Sequence, residues 1–441
     1  MKKIISSIFI ISLAFSPMTH SDNVFDEFDA EMTAFESPDN DKIMEEYIAF
    51  VSDYLAEYDA WRKDYLNGFD YQQSQIIMQW GDTPSQDIND VTYSEDLKTR
   101  QLVDYDKNEA VIEILVPVAT TEAESKSILT SYLAKNKTSP VKQQTVDLGN
   151  IQLNEVKFNE EQERNAKNII KKQTIAYKNE ADLKADKLQD VQQDIPEKII
   201  EKSVERQKIA LEKEEDKRIA AVESQYIELR KEQKVTTSSY KILKYTAKLP
   251  ANSLSKRAQK YKKIAEKESQ RFDIPVALVM AIMHSESAFQ PKAKSAVPAY
   301  GLMQIVPRTA GHDVNKMIRK IDKPMEVDDL YVPDINVETG SAYLSILDKR
   351  YLKSITDPKS RLYCTIAAYN TGAGNVAKVF NTGGNKRNIN KAARIINTLS
   401  SDEVYQALMS KLPYDETKHY LKKVSKRIAL YEVKNVVKTT I

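Results

Sequence analysis

The chain of 441 residues contains one cysteine, four histidines and ten glycines. A single cysteine excludes an internal disulfide and a cysteine-based metal site. His20, His284, His312 and His419 are scattered without ligand spacing, so neither a metal nor another cofactor is expected. So few glycines argue against a long all-β architecture with many tight turns. Long hydrophobic runs are also scarce, and no stretch beyond the N-terminus is long and apolar enough for a transmembrane helix. Cys364 lies in an apolar stretch and reads as a small buried hydrophobe rather than a nucleophile.

What is present first is an export signal. Lys2 and Lys3 precede a mainly apolar run, Ile4 to Phe15, and then small residues between Ser16 and Ser21. That run is too short to span a bilayer comfortably, so a cleaved signal peptide over residues 1–21 and a periplasmic location are expected. The remaining length suffices for about two or three domains. Hydrophobic residues at 41% and charged residues at 29% suit a soluble globular protein with some solvated helix. The net charge of +1 is unevenly spread: residues 251–441 hold 32 Lys+Arg against 18 Asp+Glu, while the rest holds 33 against 46. Solvated helix faces explain most of this. What remains points to an anionic partner, and after an export signal that is cell-wall polymer or a membrane surface rather than nucleic acid.

Phe25, Phe28, Met32 and Phe35, then the run from Ile43 to Trp61, carry helical spacing. Residues 99–105 and 110–116 flank Asp106-Lys107-Asn108-Glu109 and read as strand, turn, strand. A third strand alternates Leu243, Tyr245, Ala247 and Leu249 with lysines and a threonine, and the earlier hairpin is its expected partner. Between them, residues 154–235 are dense in Glu, Lys, Asp and Gln, without glycine. Ile219, Val222, Tyr226 and Leu229 form a narrow apolar stripe, and Pro196 breaks or turns the segment. Such helices pair into a coiled-coil hairpin or stand in solvent, which makes this stretch an insertion separable from the rest. Beyond residue 251 helical periodicity returns at 253–270, 274–287, 337–352, 361–369 and 415–431, and predicts a compact all-α domain.

The helix over 274–286 carries the chemistry. Asp273 is the expected cap, and Pro275 is tolerated in the first turn. Leu278, Val279, Ile282 and Met283 give an apolar face that Glu286 continues. Buried there, a carboxyl would hold its proton near neutral pH, as the acid in glycosidic cleavage must. For this helix alone, a glutamate exposed at a frayed end or paired with a lysine is the simpler reading. The neighbours decide otherwise: Glu286-Ser287, Ser295, Gly301-Leu302-Met303-Gln304, Ala368-Tyr369-Asn370-Thr371-Gly372-Ala373-Gly374, and Leu412-Pro413-Tyr414-Asp415-Glu416-Thr417-Lys418-His419-Tyr420.

Together these motifs resemble the catalytic domain of lytic transglycosylases, whose fold is similar to goose-type lysozyme. The resemblance covers about residues 253–431, and Pro333–Leu344 looks like that family's connecting helix. The N-terminal segments 91–117 and 243–250 resemble the membrane-bound lytic murein transglycosylase C family. This implies a multidomain α+β protein. An α+β N-terminal domain (22–252) with a charged helical insertion (about 155–235) precedes an all-α lysozyme-like catalytic domain (253–431) and a tail (432–441). Two features depart from the family: no cysteine follows the signal to carry its lipid anchor, and the insertion looks like an addition. Carried across residue by residue, Glu286 matches the single catalytic acid and base. Ser295, Gln304, Tyr369, Asn370, Glu416 and Tyr420 match positions that line the sugar cleft or orient the acid, although Tyr420 reads equally well as core. Lys418 stands where the family often has Arg, which weakens a bidentate contact.

The implied reaction cleaves the β-1,4 bond between N-acetylmuramic acid and N-acetylglucosamine and closes a 1,6-anhydro ring on the muramic residue. The alternatives are a hydrolytic muramidase that recruits a second carboxylate and a non-catalytic wall-binding scaffold. The expected partners are glycan strands, an envelope protein docking on the inserted helices, and a peripheral outer-membrane contact.

Overall fold

The computed structural model describes residues 38–56, 59–84, 89–105, 107–136, 141, 148–191, 195–235, 239–382 and 386–432. The expected export signal, the aromatic spacing from Phe25 to Phe35 and nearly all of the tail lie outside them. The chain divides into two compact units, residues 1–51 and 52–441. In the first, the described part belongs to helix α1 (Pro38–Ala56), which runs on into the second.

Five antiparallel strands form one sheet in the order β1-β2-β3-β5-β4: β1 (Asn89–Tyr93), β2 (Thr99–Asp104), β3 (Glu109–Pro117), β4 (Ile151–Glu155) and β5 (Tyr240–Lys248). The third strand does join the hairpin, with Ile112 opposite Tyr245 and Ile114 opposite Leu243. Alternation sorts the two faces. Ala110, Ile112, Ile114, Val116, Leu243 and Tyr245 pack with Leu129 and Leu133 of helix α3 (Glu122–Lys135). Leu115 and Ile242 point the other way, onto Ile76 and Trp80 of helix α2 (Asp59–Trp80). β1 and β4 were not foreseen; both are short, and Asn89-Asp90 and Asn154-Glu155 give them little apolar alternation.

Between β4 and β5 run two long helices, α4 (Glu160–Val191) and α5 (Glu197–Val235). The stripe anticipated on α5 is buried: Val222 and Tyr226, with Ile219 and Leu229 beside them, pack on Ile77 of α2 and on Ala166 and Ile170 of α4. Of the two expected arrangements the helices take the paired one, α4 packing along α5, and they do not stand apart in solvent. Charged side chains that look solvated in sequence are drawn partly out of solvent by their partners, as where Arg218 takes Asp70 of α2 with two 2.7 Å hydrogen bonds.

The remaining chain is helical: α6 (Ser253–Phe272), α7 (Val276–Ser287), α8 (Pro333–Ile346), α9 (Pro358–Thr371), α10 (Ala373–Phe380), α11 (Ile389–Ile396), α12 (Ser401–Lys411) and α13 (Asp415–Ile428). They surround one apolar core that includes Cys364, whose thiol burial pushes upward in pKa. The fold is α+β and mostly helical, with an all-α C-terminal part.

Asp273 does not cap the helix that carries Glu286. Its backbone is left-handed (φ 52) and ends α6, donating its N–H to Ser269 O, while its carboxylate accepts from Lys349. An N-cap needs an extended backbone, so the role passes to Pro275, which supplies no side-chain cap.

Candidate active site

Helix α7 is apolar all round. Residues from Ala277 to His284 are buried, so the helix runs through the core and delivers its last turn to a cleft. Directly after Glu286 the backbone turns sharply, with Ala288 (φ 46) and Phe289 (φ 66) both left-handed, conformations that cost L-residues energy and persist only where surroundings enforce them. The enforcement is visible. Ser287 Oγ donates to Met283 O (3.1 Å) and Leu302 O (2.8 Å), while Arg257 Nε donates to Ala288 O at 3.0 Å.

The Gly301–Gln304 loop crosses in front of this turn. Asn336 of α8, fully buried, holds it: its side-chain amide donates to Tyr300 O and Leu330 O, and its oxygen accepts from Met303 N, all at 2.8 Å. Gly301 (φ 77) has no room for a side chain, since a Cβ would lie 2.2 Å from Leu330 O. Gly340 is equally constrained by Met303 Sδ at 2.3 Å. Asn336 and Gly340 of the Pro333–Leu344 segment therefore serve the loop, while Tyr343 reaches the lining of the smaller cavity beside Tyr369.

Two adjoining cavities of about 360 and 220 Å³ flank Glu286, and both are lined by Glu286, Ser295 and Gln304. The larger is walled by Asp90, Val91 and Tyr105 of the sheet region and by Lys292, Lys294 and Lys423. The smaller brings in Tyr369, Asn370 and Glu416, and on its far side a face of α4. Six of the seven expected site residues thus line one cleft. Tyr420, the seventh, lies behind Glu286 rather than in the lining.

Glu286 is half-buried, its carboxyl on the cleft floor. Desolvation raises its pKa from 4.5 to about 7; Tyr420 and Lys423 oppose the rise and Glu416 adds to it. The Tyr420 hydroxyl is buried and makes no hydrogen bond of regular geometry among the described residues, yet it sits close enough to favour the ionised carboxyl. Such a donor stabilises the carboxylate once its proton has left. Tyr369 Oη donates to Met303 O (2.9 Å). Burial, and then the nearby Glu286, hold its phenol protonated. Asn370 Oδ1 accepts from Thr417 Oγ1 at 2.6 Å. Glu416 is exposed at the lip, but desolvation by the cleft walls still raises its pKa against the pull of Lys172. Gln304, itself left-handed (φ 47), ties its amide to Gly301 O and Ala293 O. Ser295 bonds within its own loop, to Val297 O. Lys418 pairs with Asp415 (2.8 Å) and is not among the lining residues.

Two contributions were missed in the sequence. Lys423 falls on the Glu416 and Tyr420 side of α13, at i+7 and i+3, a spacing that could have been noticed. The α4 face (Lys172, Ile175, Ala176, Asn179, Glu180, Leu183) repeats at helical steps of three and four. It is too polar to be told from a solvated helix.

The arrangement is a half-buried acid with a raised pKa on the floor of a cleft formed by two adjoining cavities. Residues 263–392 match the family model described as the transglycosylase SLT domain. Over 206 residues the chain is 42% identical to the membrane-bound lytic murein transglycosylase C of Serratia proteamaculans (strain 568), covering 47% of this chain and 56% of that protein. The protein of the same name from Pectobacterium atrosepticum shows the same identity and coverage. The chain thus spans about half the length of the curated relatives it matches. Among solved structures, the 70 kDa soluble lytic transglycosylase of Escherichia coli is 28% identical at a TM-score of 0.29, covering 39% of this chain and 24% of that one. An inactive mutant of the lytic transglycosylase Slt of Pseudomonas aeruginosa is 20% identical at 0.31, covering 60% and 36%.

Proposed function

We propose that this chain is a peptidoglycan lytic transglycosylase with Glu286 as its only catalytic acid and base. The observation that carries the reading is the Glu286 carboxyl, raised to about 7 by desolvation at the junction of the two cavities. A glycan strand lies along both cavities with the bond between N-acetylmuramic acid and N-acetylglucosamine over Glu286. The protonated carboxyl gives its proton to the linking oxygen as the C–O bond breaks. The acetamido group of the substrate stabilises the oxocarbenium-like centre. The carboxylate, supported by Tyr420 and Lys423, then takes the proton of the muramic C6 hydroxyl, whose oxygen attacks C1 and closes the 1,6-anhydro ring. Glu286 ends protonated, ready for the next turnover. Tyr369, Asn370, Gln304, Ser295 and Glu416 hold the sugars through rings, amides and hydroxyls.

This reading includes a domain order of 22–252, 253–431 and a tail, with residues 1–21 as the export signal. The enzyme then works in the periplasm, in wall remodelling or turnover, with peripheral contact to the outer membrane. An envelope protein docks on the outer faces of α4 and α5.

The test is release of soluble muropeptides from purified sacculi by the full chain and by Glu286→Gln. Release by the wild type should fall about 10²–10⁴-fold in the variant. Equal release by both would remove Glu286 from the mechanism.

A further inference from the structure

We infer that Asn179 of helix α4 is a positioning residue for the reaction, setting the cleft wall that carries Tyr369 and Asn370. The inference rests on the lytic reading above.

Helix α9 ends at Thr371 and α10 begins at Ala373, with only Gly372 between. A junction this tight leaves the last carbonyls of one helix and the first N–H groups of the next without intrahelical partners. Helix α4 supplies them. The Asn179 side-chain amide donates to Asn370 O at 2.8 Å, and its oxygen accepts from Thr371 Oγ1 at 2.8 Å and from Asn375 Nδ2 at 3.2 Å. Two turns on, Asp186 accepts the Gly374 N–H at 2.9 Å. The approach is close enough to dictate sequence: a Cβ at Gly374 would lie 1.9 Å from Asp186 Oδ1, and one at Gly372 would lie 2.3 Å from Leu183 Cδ2.

Between these two residues Asp182 anchors the helix. Its carboxylate is 1% exposed and is reached by Lys208 of α5, Lys378 of α10 and Arg387. The Tyr414 hydroxyl also donates to it, at 3.2 Å. Asn179, Asp182 and Asp186 follow at steps of three and four, so one face of α4 is bolted to the junction along its length.

The consequence falls on the cleft. The carbonyl held by Asn179 belongs to Asn370, whose own side chain is fixed from the other side by Thr417. Tyr369 precedes it, bound to the Gly301–Gln304 loop in front of Glu286. Without Asn179, the Asn370 carbonyl loses its side-chain donor and the Thr371 hydroxyl its acceptor, and the wall can shift. Displacements of about 1 Å at positioning residues can cost about 10²-fold in rate.

The experiment measures kcat and KM on soluble glycan of defined length for the wild type, N179A, N179D, N370A and the N179A/N370A double variant. K178A, which breaks only the exposed Lys178–Glu212 pair at the neighbouring position, controls for loosening of the helix pair. N179A is expected to lower kcat about 10- to 100-fold with little change in KM. N179D, which keeps the acceptor and loses the donor, should fall between it and the wild type, and K178A should match the wild type. N370A keeps the main-chain carbonyl that Asn179 holds and removes one of the two side chains the wall carries, so if Asn179 sets that wall the two losses combine to less than their product, whereas independent roles multiply. Wild-type kcat in N179A, multiplying losses, or an equal loss in K178A overturns the inference. If N179A does not fold, the N179D kcat decides, and a wild-type value overturns it. An inactive wild type overturns the lytic reading and this inference together; an active wild type with an unaffected N179A overturns this inference alone.

Discussion

The Tyr369 hydroxyl donates to the Met303 carbonyl at 2.9 Å and so joins two segments 66 residues apart in the chain. Both motifs that flag the site in sequence, Gly-Leu-Met-Gln and Ala-Tyr-Asn, meet in that bond. Tyr369→Phe leaves the Met303 carbonyl without this donor in a buried place, a loss of about 1–3 kcal/mol. Thermal denaturation should show the lowered stability, and kcat should fall while the chain remains folded. Unchanged Tm and kcat would mean the bond contributes nothing.

Glu286 should make the protein less stable as pH rises. Its carboxyl titrates at about 7 in the folded chain against an ordinary 4.5, so between those values the unfolded state gains by ionising while the folded state does not. Glu286→Gln removes that penalty. Its Tm should exceed the wild type's by more at pH 8 than at pH 5, and an advantage independent of pH would contradict a desolvated acid.

Arg387 tests the buried charges beside the cleft. It is 3% exposed and pairs with Asp182 and Asp186. Burial pushes Asp182 up, but Arg387, Lys378 and Lys208 outweigh it and hold the carboxyl below the ordinary carboxylate range. A carboxyl so depressed adds stability above its unfolded pKa and loses it as pH falls toward the folded one. Arg387→Leu leaves that charge under-compensated, at a cost of about 3–5 kcal/mol. The loss, followed by denaturant unfolding, should be larger at pH 7 than at pH 4, where protonation relieves it.

Removing the long helices should not spare the all-α C-terminal part. Replacing residues 160–235 with a flexible linker strips the Gly374 N–H, the Asn370 carbonyl and Arg387 of partners. It also takes away one wall of the smaller cavity. The shortened chain is expected to be unstable and inactive on purified sacculi; a folded variant with full activity would show that the contacts are dispensable.

Much of this was legible in the sequence, for identifiable reasons. β3 and β5 alternate apolar and polar residues on a half-covered sheet. The helix carrying Glu286 is apolar enough to be read as core, and the family resemblance carried by the motifs pointed to the other cleft residues. Asp273 was misread because the same residue types serve both ends of helices, and only its left-handed backbone assigns it to the helix before. Helices α4 and α5 were misread more deeply. Asp182 and Arg387 lie far apart in sequence, and a charge buried by a distant partner is indistinguishable in composition from one bathed in water. The glycines after Asn370 look like an ordinary helix start until Leu183 and Asp186 are found against them.

The central claim, that one carboxyl both gives and takes the proton while the substrate attacks itself, is tested most directly by digesting purified sacculi in ¹⁸O-labelled water. The products are then weighed by mass spectrometry. The expected result is muropeptides ending in 1,6-anhydromuramic acid, lighter by one water than reducing ends and free of label, with no release by Glu286→Gln. Reducing ends carrying ¹⁸O would show that water attacks C1, and would make the chain a muramidase that uses a second group, with Glu416, whose charge acts on Glu286, the carboxylate to examine.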